Sequence, residues 1–188
     1  MSFALIKPDL HRLPTFLDAL RRGWSPDNVR GDEAARELLT AADNDPGRLV
    51  ASMDDPEAKA GPIRLPDGST SERLPGFHRW LWDGEFCGQI GFRWRPGTTE
   101  LPPHVLGHIG YAVVPWKRGR GYASLALSLL LLEAEDLGLP WVELTTNLDN
   151  IPSQNVILNN GGYLVEHFTK PAVYGGGENL RYRIDLGD

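Results

Sequence analysis

A segment in the second half of the chain, residues 108–137, constrains the fold more than any other. Its first part, residues 109–114, is apolar and rich in β-branched and aromatic residues, which predicts a strand that ends at Pro115. Its last part is an apolar run over residues 122–132, followed by acidic residues and a glycine. That pattern predicts a helix with a C-terminal glycine stop. The four residues RGRG, 118–121, join the strand to the helix.

The RGRG turn has the composition of an anion-binding site. The first N–H groups of a helix have no partner inside it, and the helix dipole adds about half a positive charge there. Gly119 and Gly121 keep side chains away from the backbone, and Arg118 and Arg120 add mobile positive charge. The turn therefore predicts a phosphate or pyrophosphate ligand.

The spacing of the turn distinguishes between phosphate-binding patterns. GxxxxGK[ST] fails because no Lys-Ser or Lys-Thr follows the glycines, and GxGxxG fails because Ser124 stands in the position of its third glycine. The spacing that fits is Arg-x-x-Gly-x-Ala, which is RGRGYA from Arg118 to Ala123. On these residues, placed between a strand and a long helix, the sequence resembles the GNAT superfamily of acyl-CoA-dependent N-acyltransferases.

The resemblance covers about residues 80–186 and is strongest over residues 108–163. It implies an α/β (α+β) fold with a mixed, mostly antiparallel sheet of six to seven strands and helices on both faces. The sheet would be splayed between two parallel strands, here residues 108–114 and 141–146.

We expect one domain over residues 1–188, with a Pro/Gly-rich loop insertion at about 54–76 that contains a Pro66-Asp67-Gly68 turn. Helices are expected at about residues 10–22 and 31–42.

The same resemblance implies acetyl-CoA as the cofactor. Its pantetheine arm would lie in the gap between the parallel strands and bond to the backbone of Val113 and Val114. Asn150 and Ser153, with Asn155, match side chains that reach the arm, and helix capping is the alternative for the first two. The pyrophosphate would be held by the turn and the helix start: Arg118, Gly119, Arg120, Gly121, Tyr122, Ala123 and Ser124.

The acid and base of the reaction are less well defined by the sequence. Family members often carry a tyrosine general acid four residues before a Gly-aromatic pair, but here the pair is Gly162-Tyr163 and that position is Leu158, which cannot donate a proton. The segment 153–162 resembles instead a subgroup of predicted acetyltransferases that ends in Asn-Gly-Gly. A CoA thiolate, with a pKa near the value of about 8.5 for a free cysteine, could leave with only water or Ser153 as donor.

His108, near the start of the strand, suits a general base near pH 7, and pairing to a carboxylate or the backbone is the alternative reading. The neighbouring strand and the hairpin offer two weaker candidates, Glu143 and Glu85. The two N-terminal helices would form one wall of the acceptor pocket. Trp24 and Asn28 between them are candidates for acceptor contact, or Trp24 plugs the gap between helices.

The bulk composition limits the partners. A net charge of −6 argues against nucleic acid, and the longest apolar stretch, residues 125–132, is too short to span a bilayer. The single cysteine, Cys87, excludes an intrachain disulfide, and the N-terminus has no signal-peptide pattern, so we expect a cytoplasmic protein. The last strand, about residues 180–186, could pair with a second copy.

These observations predict an N-acetyltransferase that moves acetyl from acetyl-CoA directly to a primary amine of a small molecule or peptide. One alternative is a non-catalytic acyl-CoA-binding regulatory module on the same fold, which the missing tyrosine favours. The other is a nucleotide-binding protein that uses the same turn.

Overall fold

The computed structural model describes residues 3–65 and 68–187. Pro66 and Asp67 of the expected tight turn lie outside the described residues, although Gly68 donates its N–H to the carbonyl of Leu65 at 2.9 Å.

The N-terminal part forms a short strand and three helices: β1 (Ala4–Ile6), α1 (Leu13–Arg21), α2 (Asp32–Asn44) and α3 (Pro46–Ser52). Helix α1 buries Leu13, Phe16 and Leu20, which recur at helical spacing. Helix α3 is separate from α2 because Asp45 is extended and its carboxylate accepts the N–H of Arg48 at 2.9 Å, which caps a new helix.

The first sheet has the order β1-β5-β6-β7, where β5 is Gly76–Trp82, β6 is Phe86–Arg93 and β7 is Ile109–Val113. All its pairings are antiparallel. In the expected insertion, β2 (Asp54–Asp55) pairs with β5, and β3 (Ile63–Arg64) with β4 (Thr70–Ser71) forms a small separate hairpin. The backbones of β6 and β7 approach closely at Gly88, because a Cβ there would lie 2.3 Å from the carbonyl oxygen of Ala112.

The rest of the chain forms α4 (Tyr122–Glu135), β8 (Trp141–Asn147), α5 (Ile151–Leu158), β9 (Tyr163–Thr169) and β10 (Glu178–Asp185). The three strands make a second antiparallel sheet of order β8-β10-β9. The expectation that the last strand could pair with a second copy is wrong, because β10 is the central strand and both its edges are hydrogen-bonded within the chain. The edge strand of this sheet is β9.

Helices cover both faces of the first sheet. On one face α4 packs Leu127 and Leu130 against Ile90 and Phe92 of β6, and this core continues into the second sheet. On the other face α1 and its neighbours enclose an aromatic cluster around Trp80. The fold is therefore the expected mixed α+β architecture, with seven main strands divided between two sheets that meet at β7 and β8.

Candidate functional site

The two sheets touch at one end of β7 and β8 and separate toward the other. At the touching end, the N–H of His108 donates to the carbonyl of Glu143 at 2.8 Å. Gly107 lies so close that a Cβ there would be 3.0 Å from the same carbonyl oxygen. In the described part of the chain this is the only backbone hydrogen bond that joins the two strands. A gap therefore opens between their carboxyl ends, as the resemblance implied.

The strand registers turn unpaired backbone groups into this gap. Val114 donates to Cys87 at 2.9 Å and Arg93 donates to His108 at 2.9 Å, so the even-numbered residues of β7 bond to β6. Antiparallel pairs alternate, and the backbone groups of Tyr111 and Val113 consequently face β8. On β8 the same alternation points the backbone of Thr145 and Asn147 toward β7.

Val113 and Val114 differ in what they offer a ligand. The N–H of Val113 faces the gap, and its carbonyl accepts the Nε–H of Arg118 at 3.2 Å. Val114 has neither backbone group free, because its N–H is bonded to Cys87 and its carbonyl accepts the N–H of Lys117 at 3.0 Å. The backbone of Val113 is thus directed where a ligand in the gap could reach it, and that of Val114 is not. The contact of Val113 with pantetheine stays a prediction.

The RGRG turn lies at the open end of the gap. Gly119 and Gly121 adopt φ values of 74° and 76°, which favour glycine, and a Cβ on either would meet nothing within 4 Å. Gly121 is the N-cap of α4, and no side chain caps that helix. The first N–H groups of α4 therefore face exposed space beside two arginines, Arg118 and Arg120, which is the arrangement expected for an anion site.

A carboxylate in the neighbouring hairpin ties down both ends of the RGRG turn. Asp83 accepts two bonds from Nζ of Lys117 at 2.9 Å and one from the hydroxyl of Tyr122 at 2.8 Å. Although burial opposes it, hydrogen bonding to Lys117 and Tyr122 lowers the pKa of Asp83 to about 2. The carboxylate is thus charged at neutral pH and directed at side chains, not at the open N–H groups of α4.

Helix α5 supplies the other side of the gap. Asn150 caps it, with its side-chain oxygen accepting the N–H of Ser153 at 3.2 Å, and both residues also line the cavity described below. Asn155 is exposed and does not line that cavity. Asn160 donates to the hydroxyl oxygen of Ser124 at 3.1 Å, which joins the end of α5 to the first turn of α4.

A cavity of about 880 Å³ begins in the gap and extends under the two sheets. The first sheet contributes His78, Gly91 and Gly110 to it, and the second contributes Thr145. Its far wall consists of the α1–α2 connection and the β9–β10 connection, which includes Lys170, Tyr174 and Gly175. These connections nearly meet, because a Cβ on Gly175 would lie 3.7 Å from Cγ2 of Val29. The RGRG turn lies beyond the cavity, at the surface.

His108 occupies a structural position. It is fully buried, it does not line the cavity, and its Nδ1 accepts the N–H of Glu143 at 3.0 Å. A neutral imidazole that accepts at Nδ1 carries its proton on Nε2 and has no free lone pair for an incoming proton. Burial also lowers the pKa of His108 to about 4. The geometry therefore favours the backbone-pairing alternative over the expected general base.

Other predicted candidates are also accounted for by their contacts. Glu143 accepts from Arg181 at 3.1 Å and Arg183 at 3.0 Å, and Glu85 is exposed and paired with Lys117 at 3.4 Å. Trp24 is buried against Phe16 and Phe86, as the alternative reading had it. Asn28 does line the cavity. Leu158 is about half exposed and gives no proton donor.

Three cavity residues were missed by the sequence reasoning: Tyr111, His78 and Arg93. The hydroxyl of Tyr111 donates to the carbonyl of Ser153 at 3.2 Å, across the gap on the first turn of α5, and burial raises its pKa to about 12. The sequence did contain a signal for Tyr111, because a tyrosine inside an apolar strand usually needs a hydrogen-bond partner for its hydroxyl. The positions of Arg93 and His78 in the cavity could be predicted only from the register between β5 and β6.

Among the described residues, no helix is long and apolar enough to span a membrane, and no cluster of three or more His, Cys, Asp or Glu side chains could hold a metal.

Comparison with protein families gives one match, to the Acetyltransferase (GNAT) domain over residues 24–162. No curated protein sequence matches the chain.

Solved structures with a similar fold include several acetyltransferases. The acetyl transferase of Salmonella typhimurium that modifies the N-terminal serine of ribosomal protein L7/L12 is 15% identical, with a TM-score of 0.65 over 100% of this chain and 96% of that one. The RimL L7/L12 α-N-protein acetyltransferase in complex with coenzyme A is 14% identical, with a TM-score of 0.65 over 99% and 95%. The microcin C7 self-immunity acetyltransferase MccE, in complex with acetyl-CoA and AMP, is 13% identical, with a TM-score of 0.61 over 98% and 92%.

Proposed function

The chain belongs to the acetyltransferase (GNAT) domain family, and on that premise we propose that it moves acetyl from acetyl-CoA directly to a primary amine. The observation that carries this proposal is the gap between β7 and β8, with backbone groups directed into it and the uncapped start of α4 at its open end. A pantetheine arm has two amides that such groups can bond, and a pyrophosphate suits the helix start. The bound coenzyme and acetyl-coenzyme of the two structural neighbours are consistent with it.

The residues divide between the parts of the coenzyme. Arg118, Gly119, Arg120, Gly121, Tyr122, Ala123 and Ser124 would hold the pyrophosphate, with Arg118 also fixing the end of β7. Val113 would accept a pantetheine N–H at its carbonyl, which keeps a second lone pair beside the bond from Arg118. Asn150 and Ser153 would contact the arm while they cap α5. Asn155 is in the same helix but exposed, so its contact would be with the outer part of the coenzyme.

The reaction forms one bond and breaks one. The nitrogen of the neutral amine attacks the thioester carbon, the carbonyl oxygen becomes negative, and the C–S bond then breaks to release the CoA thiolate and the acetylated amine. The N–H of Val113 faces the gap and would stabilise the negative oxygen. The nitrogen loses one proton and the sulfur gains one.

Tyr111 is the group best placed to protonate the leaving sulfur. Its hydroxyl lies in the gap and donates to the carbonyl of Ser153, and rotation of the O–H bond would turn the same proton toward the sulfur. It would take the role of the tyrosine that Leu158 replaces. No buried base is needed if the amine enters in its neutral form, which fits the placement of His108.

The acceptor is a small molecule or a peptide N-terminus. One structural neighbour modifies the N-terminal serine of a ribosomal protein, which is consistent with a peptide acceptor. We also propose a cytoplasmic location, in keeping with the single buried thiol of Cys87, and membership of the Asn-Gly-Gly subgroup. A homodimer, if formed, would use β9 rather than β10.

Two measurements test the proposal. Coenzyme A at millimolar concentration should raise the melting temperature, and excess AMP should not reproduce this shift. Thiol release from acetyl-CoA should then depend on an added primary amine. Binding without amine-dependent release would identify the alternative, a non-catalytic acyl-CoA-binding module, which the leucine at position 158 favours. No binding of CoA at all would contradict both functions.

A further inference from the structure

The acceptor side of the cavity carries more positive than negative charge. Three cationic side chains line it against two carboxylates: Arg73, Arg93 and Lys170 against Asp27 and Asp55. An amine acceptor with no other charge would gain nothing from this balance. The question is therefore which of these charges is available to a ligand.

Both carboxylates are already used within their own loops. Asp27 accepts the N–H groups of Val29 and Arg30, both at 2.8 Å. Asp55 accepts the N–H groups of Lys59 and Ala60 at 2.7 Å and 2.9 Å. These bonds hold the two loops in shape.

Two of the cations also have partners. Nε of Arg73 donates to the carbonyl of Gly61 at 2.9 Å and lies 4.0 Å from the carboxylate of Asp55. Nζ of Lys170 donates to the side-chain oxygen of Asn147 at 3.2 Å. Arg93 is different, because it lines the cavity as an exposed residue and its guanidinium has no hydrogen bond or ion pair with any residue that the structure describes.

The guanidinium of Arg93 lies over Gly110, which faces Gly91 across β6 and β7. A Cβ on Gly110 would lie 3.5 Å from Nη2 of Arg93, which is ordinary van der Waals contact. A Cβ on Gly91 would lie 2.8 Å from the ring of His78, so only glycine leaves room for that ring. Burial first, and then the charge of Arg93, lower the pKa of His78 to about 4, so the ring is neutral at pH 7 and adds no second charge.

The position of Arg93 over Gly110 also sets the distance between a bound anion and the reacting thioester. Gly110 is three residues from Val113 along β7, which corresponds to about 10 Å in a strand. An anion on Arg93 would thus lie well away from a thioester carbonyl bonded to Val113.

We propose that the acceptor carries an anionic group, a carboxylate or a phosphate, that binds Arg93, and that a chain of several atoms separates this group from the reacting amine. A guanidinium with five donors in a planar fork suits either anion. This inference rests on the proposed acetyl transfer and specifies its substrate class.

The test compares acceptors that differ only in the anionic group and in its distance from the amine. Straight-chain ω-amino acids of two to six carbons would be assayed by thiol release beside the n-alkylamines of equal length, with ω-aminoalkyl phosphates as a second anionic series. We expect kcat/KM for the longer ω-amino acids to exceed that of the matched alkylamines roughly 10- to 150-fold, as for a charge-assisted hydrogen bond. The shortest members should show little preference.

The variant Arg93→Gln should remove this preference, so that kcat/KM for the longer ω-amino acids falls to about that of the matched alkylamines measured with the same variant. Arg93→Lys should retain part of it. Arg95→Gln is the matched control, because Arg95 is an exposed arginine two residues away that does not line the cavity. The CoA-dependent rise in melting temperature, measured on every variant, shows that the fold and the coenzyme site are intact.

The outcomes separate the two proposals. Turnover of alkylamines equal to that of ω-amino acids, or a preference that survives Arg93→Gln, would overturn the anionic acceptor and leave acetyl transfer standing. If no amine in the panel is acetylated, melting temperatures of the CoA-loaded protein with each compound decide. A shift with the longer ω-amino acids that Arg93→Gln abolishes supports the site, and equal shifts with alkylamines refute it. Preference for the phosphate series would identify the anion as a phosphate.

Discussion

Replacing Gly121 by aspartate tests the coenzyme site without disturbing the core. The residue has φ 76° and ψ 2°, and a Cβ there meets nothing within 4 Å. Asparagine and aspartate are the side chains that best tolerate this left-handed conformation, at a cost of about 1 kcal/mol. At the N-cap either can also bond to the first turn of α4, which offsets part of that cost. We therefore expect both variants to unfold within a few degrees of the parent protein.

Coenzyme binding should respond very differently in the two variants. Both side chains occupy space that a pyrophosphate would use, but only aspartate adds a negative charge. Two like charges about 5 Å apart repel by about 1 kcal/mol in water and about 3 kcal/mol near a protein surface. The Kd for CoA should consequently rise roughly 5- to 150-fold from Gly121→Asn to Gly121→Asp.

Isothermal titration of CoA into the three proteins measures this ratio, and 0.5 M salt should reduce it because surface charges are screened. Dephospho-CoA serves as a control for the diphosphate itself, since it lacks only the 3′-phosphate. Equal affinities for Gly121→Asp and Gly121→Asn would refute the placement of the diphosphate at the start of α4.

The remaining predictions concern the support of the site, its proton donor and its buried histidine. Asp83→Asn should lower the free energy of unfolding by about 2 kcal/mol and raise KM for acetyl-CoA, because it weakens the bonds that fix both ends of the RGRG turn. The control Asp18→Asn removes an exposed ion pair of 3.5 Å and should change neither quantity. Equal effects of the two variants in denaturant titrations and kinetics would contradict this role of Asp83. Tyr111→Phe should lower kcat at least 10-fold with little change in the Kd for CoA. The control Tyr174→Phe, on the opposite wall of the cavity, should leave kcat unchanged. An unaltered kcat in Tyr111→Phe would exclude its phenol as the acid. His108→Asn keeps an acceptor for the N–H of Glu143 and should retain kcat within a few-fold, so a loss of 100-fold or more would restore the general base. The pKa of this histidine is near 6.5 in the unfolded chain and about 4 in the folded protein. The folded protein therefore loses about 3 kcal/mol of stability as the pH falls through that window. In urea titrations, the free energy of unfolding should differ less between pH 7 and pH 4 for His108→Asn than for the parent protein.

The second half of the fold could be predicted because local chemistry and tertiary structure agree there. The apolar strand, the glycines with positive φ and the long helix after the RGRG turn each follow from residue type at a known spacing, and all are observed. The cap of α5 by Asn150 followed in the same way. In the first half, the helices expected at about residues 10–22 and 31–42 correspond to α1 and α2.

What failed depended on pairing between distant segments. The position of β10 between β8 and β9 is fixed by tertiary packing, and no property of its own sequence marks it as a central strand. The role of His108 stayed open in the sequence because a histidine before a strand has the same residue type whether it faces a ligand or a neighbouring backbone. Only the contact with Glu143, 35 residues away, distinguishes the two. Arg93 became a candidate only when the structure placed it opposite His108, with its guanidinium over Gly110.

A crystal structure of the protein with coenzyme A measures the central claim most directly. We expect the diphosphate to lie within hydrogen-bond distance of the N–H groups of residues 122–124 and the pantetheine to lie between Val113 and the first turn of α5. Coenzyme bound elsewhere, or a gap that stays closed to it while the diphosphate lies in solvent, would contradict the proposed coenzyme site.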